Sequence, residues 1–364
     1  MLFLTLVSRL ISAAILFLTT LTTPFDAATP HILLRWDVIH FQHIAQHGYA
    51  FEHEWAFLPV VPFLLSKFIL APTLVSLIVA YDMTSTMYQL SLHHLRSPSL
   101  ARLATVLSLL PSSPATLFLV PYNEPFFTYF SYKGMLYCAK FRYVAAAIAF
   151  ALAATFRANG ILSSGFIFWG LVIEPFLQRR QACWPSVHAM RATILSLLPL
   201  IPFIAHNYAA YLSFCASASS PAPWCARSLP LIYSYIQSTY WDVGFLRYWT
   251  LQQLPNFLIA APPLLLISIF SSYHLRWVAI ASDRPFCSPS IAPHAIHALV
   301  MCSILALASH TQIALRFAAA MPITYWAAAW LLVEYPVWGR AWVAWSVLWG
   351  TTSILLWGAF LPPA

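Results

Sequence analysis

Arg35-Trp36-Asp37 and the residues that follow, His40, His43, His47, Glu52, His53 and Glu54, put carboxylates and imidazoles between two long apolar stretches. Asp37, at the mouth of a cleft facing lipid, can take a proton from a hydroxyl nucleophile; the alternative reading is an ion pair with its neighbour Arg35. His43 and His47 have the i, i+4 spacing that can hold zinc, but no H-E-x-x-H pattern accompanies them and no metal is expected. Arg157 and Arg316 each close an apolar run, where a guanidinium fork suits a lipid phosphate or else snorkels to anchor its helix. Asn123-Glu124-Pro125 reads either as a turn and helix start or as a pair that binds sugar hydroxyls.

These groups need a scaffold, and composition indicates which kind. Apolar residues make up 61% of the 364 and charged residues 8%, with a mean hydropathy of +0.74. That leaves too little polar surface for a water-soluble globule. Apolar runs of about 20 residues recur where barrel strands would show about 10-residue alternation, so the chain is expected to be all-α and polytopic. The net charge of +8 comes from scattered basic residues, without the stripe that nucleic-acid binding requires.

Apolar windows fall near 3–21, 58–80, 100–121, 124–138, 143–156, 161–178, 192–214, 250–272, 292–309, 317–333 and 342–361, giving about 8–11 transmembrane helices with the two shortest windows uncertain. The first contains Arg9 and reads as a retained helix, not a removed signal. With a cytosolic N-terminus, most basic residues, among them Arg96, Arg102, Lys140, Arg142, Arg180 and Arg340, fall near cytosolic helix ends, as the positive-inside rule expects. The polar chemistry then gathers on the other face: the first lumenal loop (22–57), Asn123-Glu124, Arg157-Ala158-Asn159-Gly160, the second large lumenal loop (213–249), and His310-Thr311-Gln312 with Arg316. Polar groups at membrane depth usually line a cavity, so one water-accessible cleft within a single membrane domain, 1–364, is expected. Cys215 and Cys225 share that face, where a disulfide would be stable; spacing leaves the pairing open. A lipid or small-molecule transporter would also use polar groups facing a cavity, though near the midplane and across symmetric halves. A non-catalytic subunit of a glycosylation complex would keep the fold and lose the base.

Blocks along almost the whole chain carry a resemblance: Arg35-Trp36-Asp37 with His40-Phe41, Ser113-Pro114-Ala115-Thr116, Pro121-Tyr122-Asn123-Glu124, Arg157-Ala158-Asn159-Gly160, Tyr240-Trp241-Asp242 through Trp249, Pro255-Asn256-Phe257, and His310 with Gln312 and Arg316. In this order they resemble the GPI mannosyltransferase 2 family, in a fungal form. Asp242 departs from the family's asparagine and Asn123 from its common serine.

The resemblance implies a GT-C-type fold whose lumenal loops form the active site. It implies an inverting, metal-independent α-1,6-mannosyltransferase of the endoplasmic reticulum membrane. Dolichyl phosphate mannose would be the donor, a glycosylphosphatidylinositol (GPI) precursor the acceptor, with no cofactor besides. The family also suggests a small accessory membrane subunit. Asp37 becomes the expected catalytic base. Arg35, Trp36, His40, Glu52, Asn123, Glu124, Arg157, Asn159, Tyr240, Trp241, Arg247, Asn256, His310, Gln312 and Arg316 become the expected substrate contacts.

Overall fold

A computed structural model describes residues 1–21, 32–110, 115–179, 186–216 and 221–361. Residues 22–31 of the first loop, Ser113 and Pro114 of the Ser-Pro block, and Arg180 lie outside the described residues. Among the described residues there are helices and no strands, as the length of the apolar runs requires. In chain order they are α1 (Leu2–Thr19), α2 (Asp37–His47), α3 (Val60–Lys67), α4 (Ala71–Leu95), α5 (Pro98–Ser108), α6 (Glu124–Ala139) and α7 (Tyr143–Ala154). There follow α8 (Ala158–Gln178) and α9 (Val187–Ala216), α10 (Ile232–Thr239), α11 (Leu251–Trp277), α12 (Pro289–Leu307), α13 (Thr311–Ala318) and α14 (Pro322–Glu334), and α15 (Pro336–Gly358).

Proline marks many of these starts. Pro72, Pro98, Pro125, Pro322 and Pro336 all stand in first turns, where the missing N–H costs nothing.

Among the described residues five helices are long and apolar enough to cross a bilayer, or up to seven when two bent pairs, α3 with α4 and α13 with α14, each count as one span. The chain is thus a multi-pass membrane protein with fewer full-length spans than its apolar windows suggest. The difference has local causes. α7 is apolar but only 12 residues long, and tryptophans dilute the hydropathy of α15. α13 and α14, which read as one run, are bent by 84° at the break before Pro322.

The core sits around α14, whose residues Pro322 to Trp330 are all buried. A helix apolar on every face belongs at the centre of a bundle. Its Trp326 indole donates to Ser91 of α4 at 2.9 Å. Beside it α6 lies close along α7, because Gly134 leaves room for the Phe150 ring, which any Cβ there would meet. Because α14 turns inward at Pro322, α13 is left as a short arm at one end of the bundle. That arm carries Arg316.

Candidate active site

At that end, polar side chains from five separate parts of the chain face one cavity of about 390 Å³, within the range of small-molecule sites. Asp37 opens α2 after Trp36, whose φ of +56° is unusual for a residue with a side chain. The turn is held on both sides: Leu34, Val38 and Phe41 are buried, which leaves the Asp37 carboxylate at the helix N-terminus, a favourable place for a negative charge. Its Oδ2 accepts a hydrogen bond from Arg316 Nη1 at 3.0 Å. Arg316 also lies 3.9 Å from Glu124, and Glu124 in turn binds Arg157. Asp37, Arg316, Glu124 and Arg157 therefore form one alternating chain of two carboxylates and two guanidiniums. Glu124 is 3% exposed and each arginine 17%, whereas Asp37 keeps 34% of its side chain open. The Asp37 carboxylate is accessible and its supports are buried.

The aromatic walls are specific. Arg157 lies over Phe317 at 4.2 Å and Arg316 over Tyr122 at 5.4 Å, which sets both cations over ring faces. The Tyr122 hydroxyl is buried and, among the described residues, has no hydrogen-bond partner within normal geometry. Burial raises this phenol well above its ordinary pKa; Asp37 and Glu124 reinforce the shift and Arg316 opposes it. It therefore stays protonated, a donor beside the Asp37 carboxylate. Tyr122 belongs to the Pro121-Tyr122-Asn123-Glu124 block but carried no assigned role in the sequence; its place beside Asn123-Glu124 was the signal available.

Asn123, Asn159, Trp241, His310 and Gln312 also line the cavity. His310 Nε2 is 2.8 Å from the Trp241 carbonyl oxygen, joining the loop before α11 to the arm of α13. Behind Gln312, Tyr248 donates to its amide oxygen at 2.9 Å and Asn256 donates to the Tyr248 hydroxyl at 2.8 Å.

Other expected contacts lie around the cavity, not on it. Arg35 is 4% exposed and turns away from Asp37. Its Nη1 donates to the carbonyls of Trp357 at 2.6 Å and Gly358 at 2.5 Å, a cation closing the C-terminal end of α15. The alternative Arg35–Asp37 pair is thus replaced by Asp37–Arg316. Trp36 packs on Phe360 at 5.5 Å and His40 stacks on Phe57 at 5.3 Å. Burial lowers the His40 pKa. Glu52 accepts from the Trp224 indole at 2.9 Å and from Tyr240 at 3.0 Å. Arg247 pairs with Asp242 at 2.9 Å on the surface, and Asp242 has φ +48°, a left-handed conformation that asparagine and aspartate adopt most readily among residues with side chains. The aspartate in place of asparagine therefore suits the backbone, and its added charge meets Arg247.

His43 is bound to Glu54 at 2.5 Å. Among the described residues no group of three or more His, Cys, Asp or Glu is placed to hold a metal ion. Cys215 and Cys225 are joined as a disulfide, which closes the pairing that spacing had left open.

A many-helix membrane chain with a solvent-open carboxylate, paired guanidiniums and aromatic walls over one cavity has the parts of a membrane-embedded group transferase. A family model described as mannosyltransferase (PIG-V) matches residues 26–364. Similar proteins include GPI mannosyltransferase 2 of Cryptococcus neoformans, 31% identical over 99% of this chain and 95% of that protein. GPI alpha-1,6-mannosyltransferase 2 of Mus musculus is 32% identical over 83% of this chain and 73% of its own, and GPI mannosyltransferase 2 of Schizosaccharomyces pombe 30% over 91% and 73%. No solved structure gives a significant match. The chain belongs to the PIG-V family of mannosyltransferases.

Proposed function

We propose that this protein is an α-1,6-mannosyltransferase that adds the second mannose to a GPI precursor at the lumenal face of the endoplasmic reticulum, using dolichyl phosphate mannose. Family membership and the printed names of its relatives support the mannosyl transfer. The observation that carries the chemistry is the Asp37–Arg316–Glu124–Arg157 chain facing one cavity.

In the reaction the acceptor hydroxyl oxygen forms a bond to the anomeric carbon of mannose as the bond from that carbon to the phosphate oxygen breaks. The hydroxyl proton passes to Asp37, and the electron pair leaves with dolichyl phosphate. Displacement from the opposite face inverts the anomeric centre. Asp37 is suited to this role by its open carboxylate, aimed by the hydrogen bond from Arg316. Arg157 and Arg316 offset the charge on the departing phosphate. A monophosphate leaving group carries less charge than a nucleotide diphosphate, so two guanidiniums suffice on electrostatic grounds. Trp241 and Phe57, on the cavity wall, offer faces on which sugar rings stack. A small accessory membrane subunit completes the reading as a partner suggested by the family.

The test is transfer of labelled mannose by membranes containing this chain from dolichyl phosphate mannose to a mannosyl-glucosaminyl-phosphatidylinositol. One added mannose, released by an α-1,6-specific mannosidase, is expected. Correctly accumulated protein that transfers nothing, or transfers through another linkage, would contradict the assignment.

A further inference from the structure

A second, smaller cavity lies inside the bundle between α1, α4, α5 and α6, and Arg9 is the only charged residue among the described residues that line it. Its volume is about 30 Å³, room for one or two waters or a single small ion. Arg9 stands ten residues before Thr19, the end of α1, hence about 15 Å deeper than the helix end that packs beside the active site. It is a cation near mid-membrane. Among the described residues it forms no ion pair and donates no hydrogen bond; its Nε is buried without an acceptor. The groups that act on its charge are the Phe118 ring at 4.5 Å and the Tyr325 phenol, which also lines the cavity but carries no formal charge.

The rest of the lining sharpens the chemistry. Ser8 already donates to the Leu109 carbonyl at 2.8 Å and Tyr132 to the Ala319 carbonyl at 2.6 Å. The unspent donors are the Arg9 guanidinium, Ser12, which is 6% exposed and hydrogen-bonded to nothing among the described residues, and the buried Thr128 hydroxyl, which has no partner. The cavity thus presents surplus donors and one uncompensated positive charge. Water fills space and accepts hydrogen bonds, but it leaves that charge unbalanced where the dielectric is low, a state that costs several kcal/mol.

We propose that Arg9, Ser12 and Thr128 form a partly enclosed site for a small monovalent inorganic anion of about the size of chloride. The volume excludes a phosphate with its lipid. The occupied site would tie α1 to α6 one turn below Glu124, since Thr128 follows Glu124 by four residues on the same helix. It therefore adds a structural ion beneath the active site and does not depend on the transferase reading.

The test is thermal unfolding of the full chain, purified in detergent, with chloride exchanged for gluconate at constant ionic strength. The unfolding temperature of the wild type should rise saturably with chloride, because an ion that binds only the folded state stabilises it. Arg9→Gln should unfold at a temperature independent of chloride. Should Arg9→Gln fail to accumulate, Ser12→Ala combined with Thr128→Val decides: its half-saturating chloride should rise roughly tenfold, as expected for lost hydrogen bonds to an ion. A wild type indifferent to chloride, the water-only outcome, would overturn the proposal. So would an undiminished chloride response in Arg9→Gln, an unchanged half-saturation in the double variant, or stabilisation by phosphate in place of chloride.

Discussion

Replacing Glu124 by glutamine removes the one carboxylate shared by two guanidiniums while keeping the shape of the side chain. At the 3.9 Å separation from Arg316, a Coulomb attraction of about 4 kcal/mol operates at an effective dielectric near 20. The contact with Arg157 is closer. Little water can replace either, because Glu124 is 3% exposed. Deleting one member of a buried ionic group costs about 3–5 kcal/mol, and the glutamine carbonyl recovers about 1–2 kcal/mol by accepting one hydrogen bond from a cation. The expected loss is about 2–3 kcal/mol, read as a lower denaturant midpoint for the purified protein. The same substitution changes the formal charge of the four-residue chain from zero to +1, so an anionic donor should bind more tightly. About 1.4 kcal/mol of added attraction would lower the donor KM roughly tenfold, while kcat falls because Arg316 loses a support. Wild-type stability in Glu124→Gln would refute the anchoring role. A raised donor KM with normal stability would mean that Glu124 binds sugar hydroxyls and does not set the arginines.

Tyr122→Phe keeps the ring under Arg316 and deletes a buried hydroxyl that is unpartnered at rest and free to donate to charge that develops beside Asp37 in the transition state, so kcat should fall roughly tenfold, the worth of one hydrogen bond to a charged group; the fold should hold, and unchanged kinetics would remove Tyr122 from the site. The disulfide between Cys215 and Cys225 closes a loop with a sequence separation of 10, so Cys215→Ser with Cys225→Ser should cost about 2–3 kcal/mol in unfolding free energy and expose Trp224, a change visible in its fluorescence. His40 has a pKa lowered by burial, so below its unfolded value of about 6.5 the unfolded chain binds more protons and stability falls with pH until the folded pKa is passed. His40→Gln should flatten that acid-side loss in denaturant titrations, and an unchanged slope would show that the imidazole does not carry it.

The sequence located the chemistry better than it paired it. Asp37, Glu124, Arg157 and Arg316 stand out because charged groups beside long apolar runs are costly unless they share a wet cavity, and the structure brings these four together. Who pairs with whom was not legible. Arg35 and Asp37 are two residues apart, yet the left-handed turn at Trp36 sends them to opposite sides, one to the end of α15 and the other to Arg316. Local spacing cannot reveal a partner 279 positions away. The all-helical class followed from composition and run length, whereas the bends of 115° between α3 and α4 and 84° between α13 and α14 did not, because hydropathy is blind to direction. Glu52, Tyr240 and Arg247 attracted attention as polar or aromatic residues in lumenal loops. The structure uses Glu52 to join the first loop to the end of α10 through Tyr240 and to the segment before α10 through Trp224, and Arg247 to meet Asp242.

The central claim is that Asp37 accepts the proton of the attacking hydroxyl. Asp37→Asn keeps the size of the side chain and a carbonyl to receive Arg316, so both substrates should still bind. Single-turnover transfer of mannose, measured with donor and acceptor saturating and protein level matched to wild type, should fall by at least about a hundredfold, the lower range for loss of a positioned base. A rate within a factor of two of wild type would contradict it.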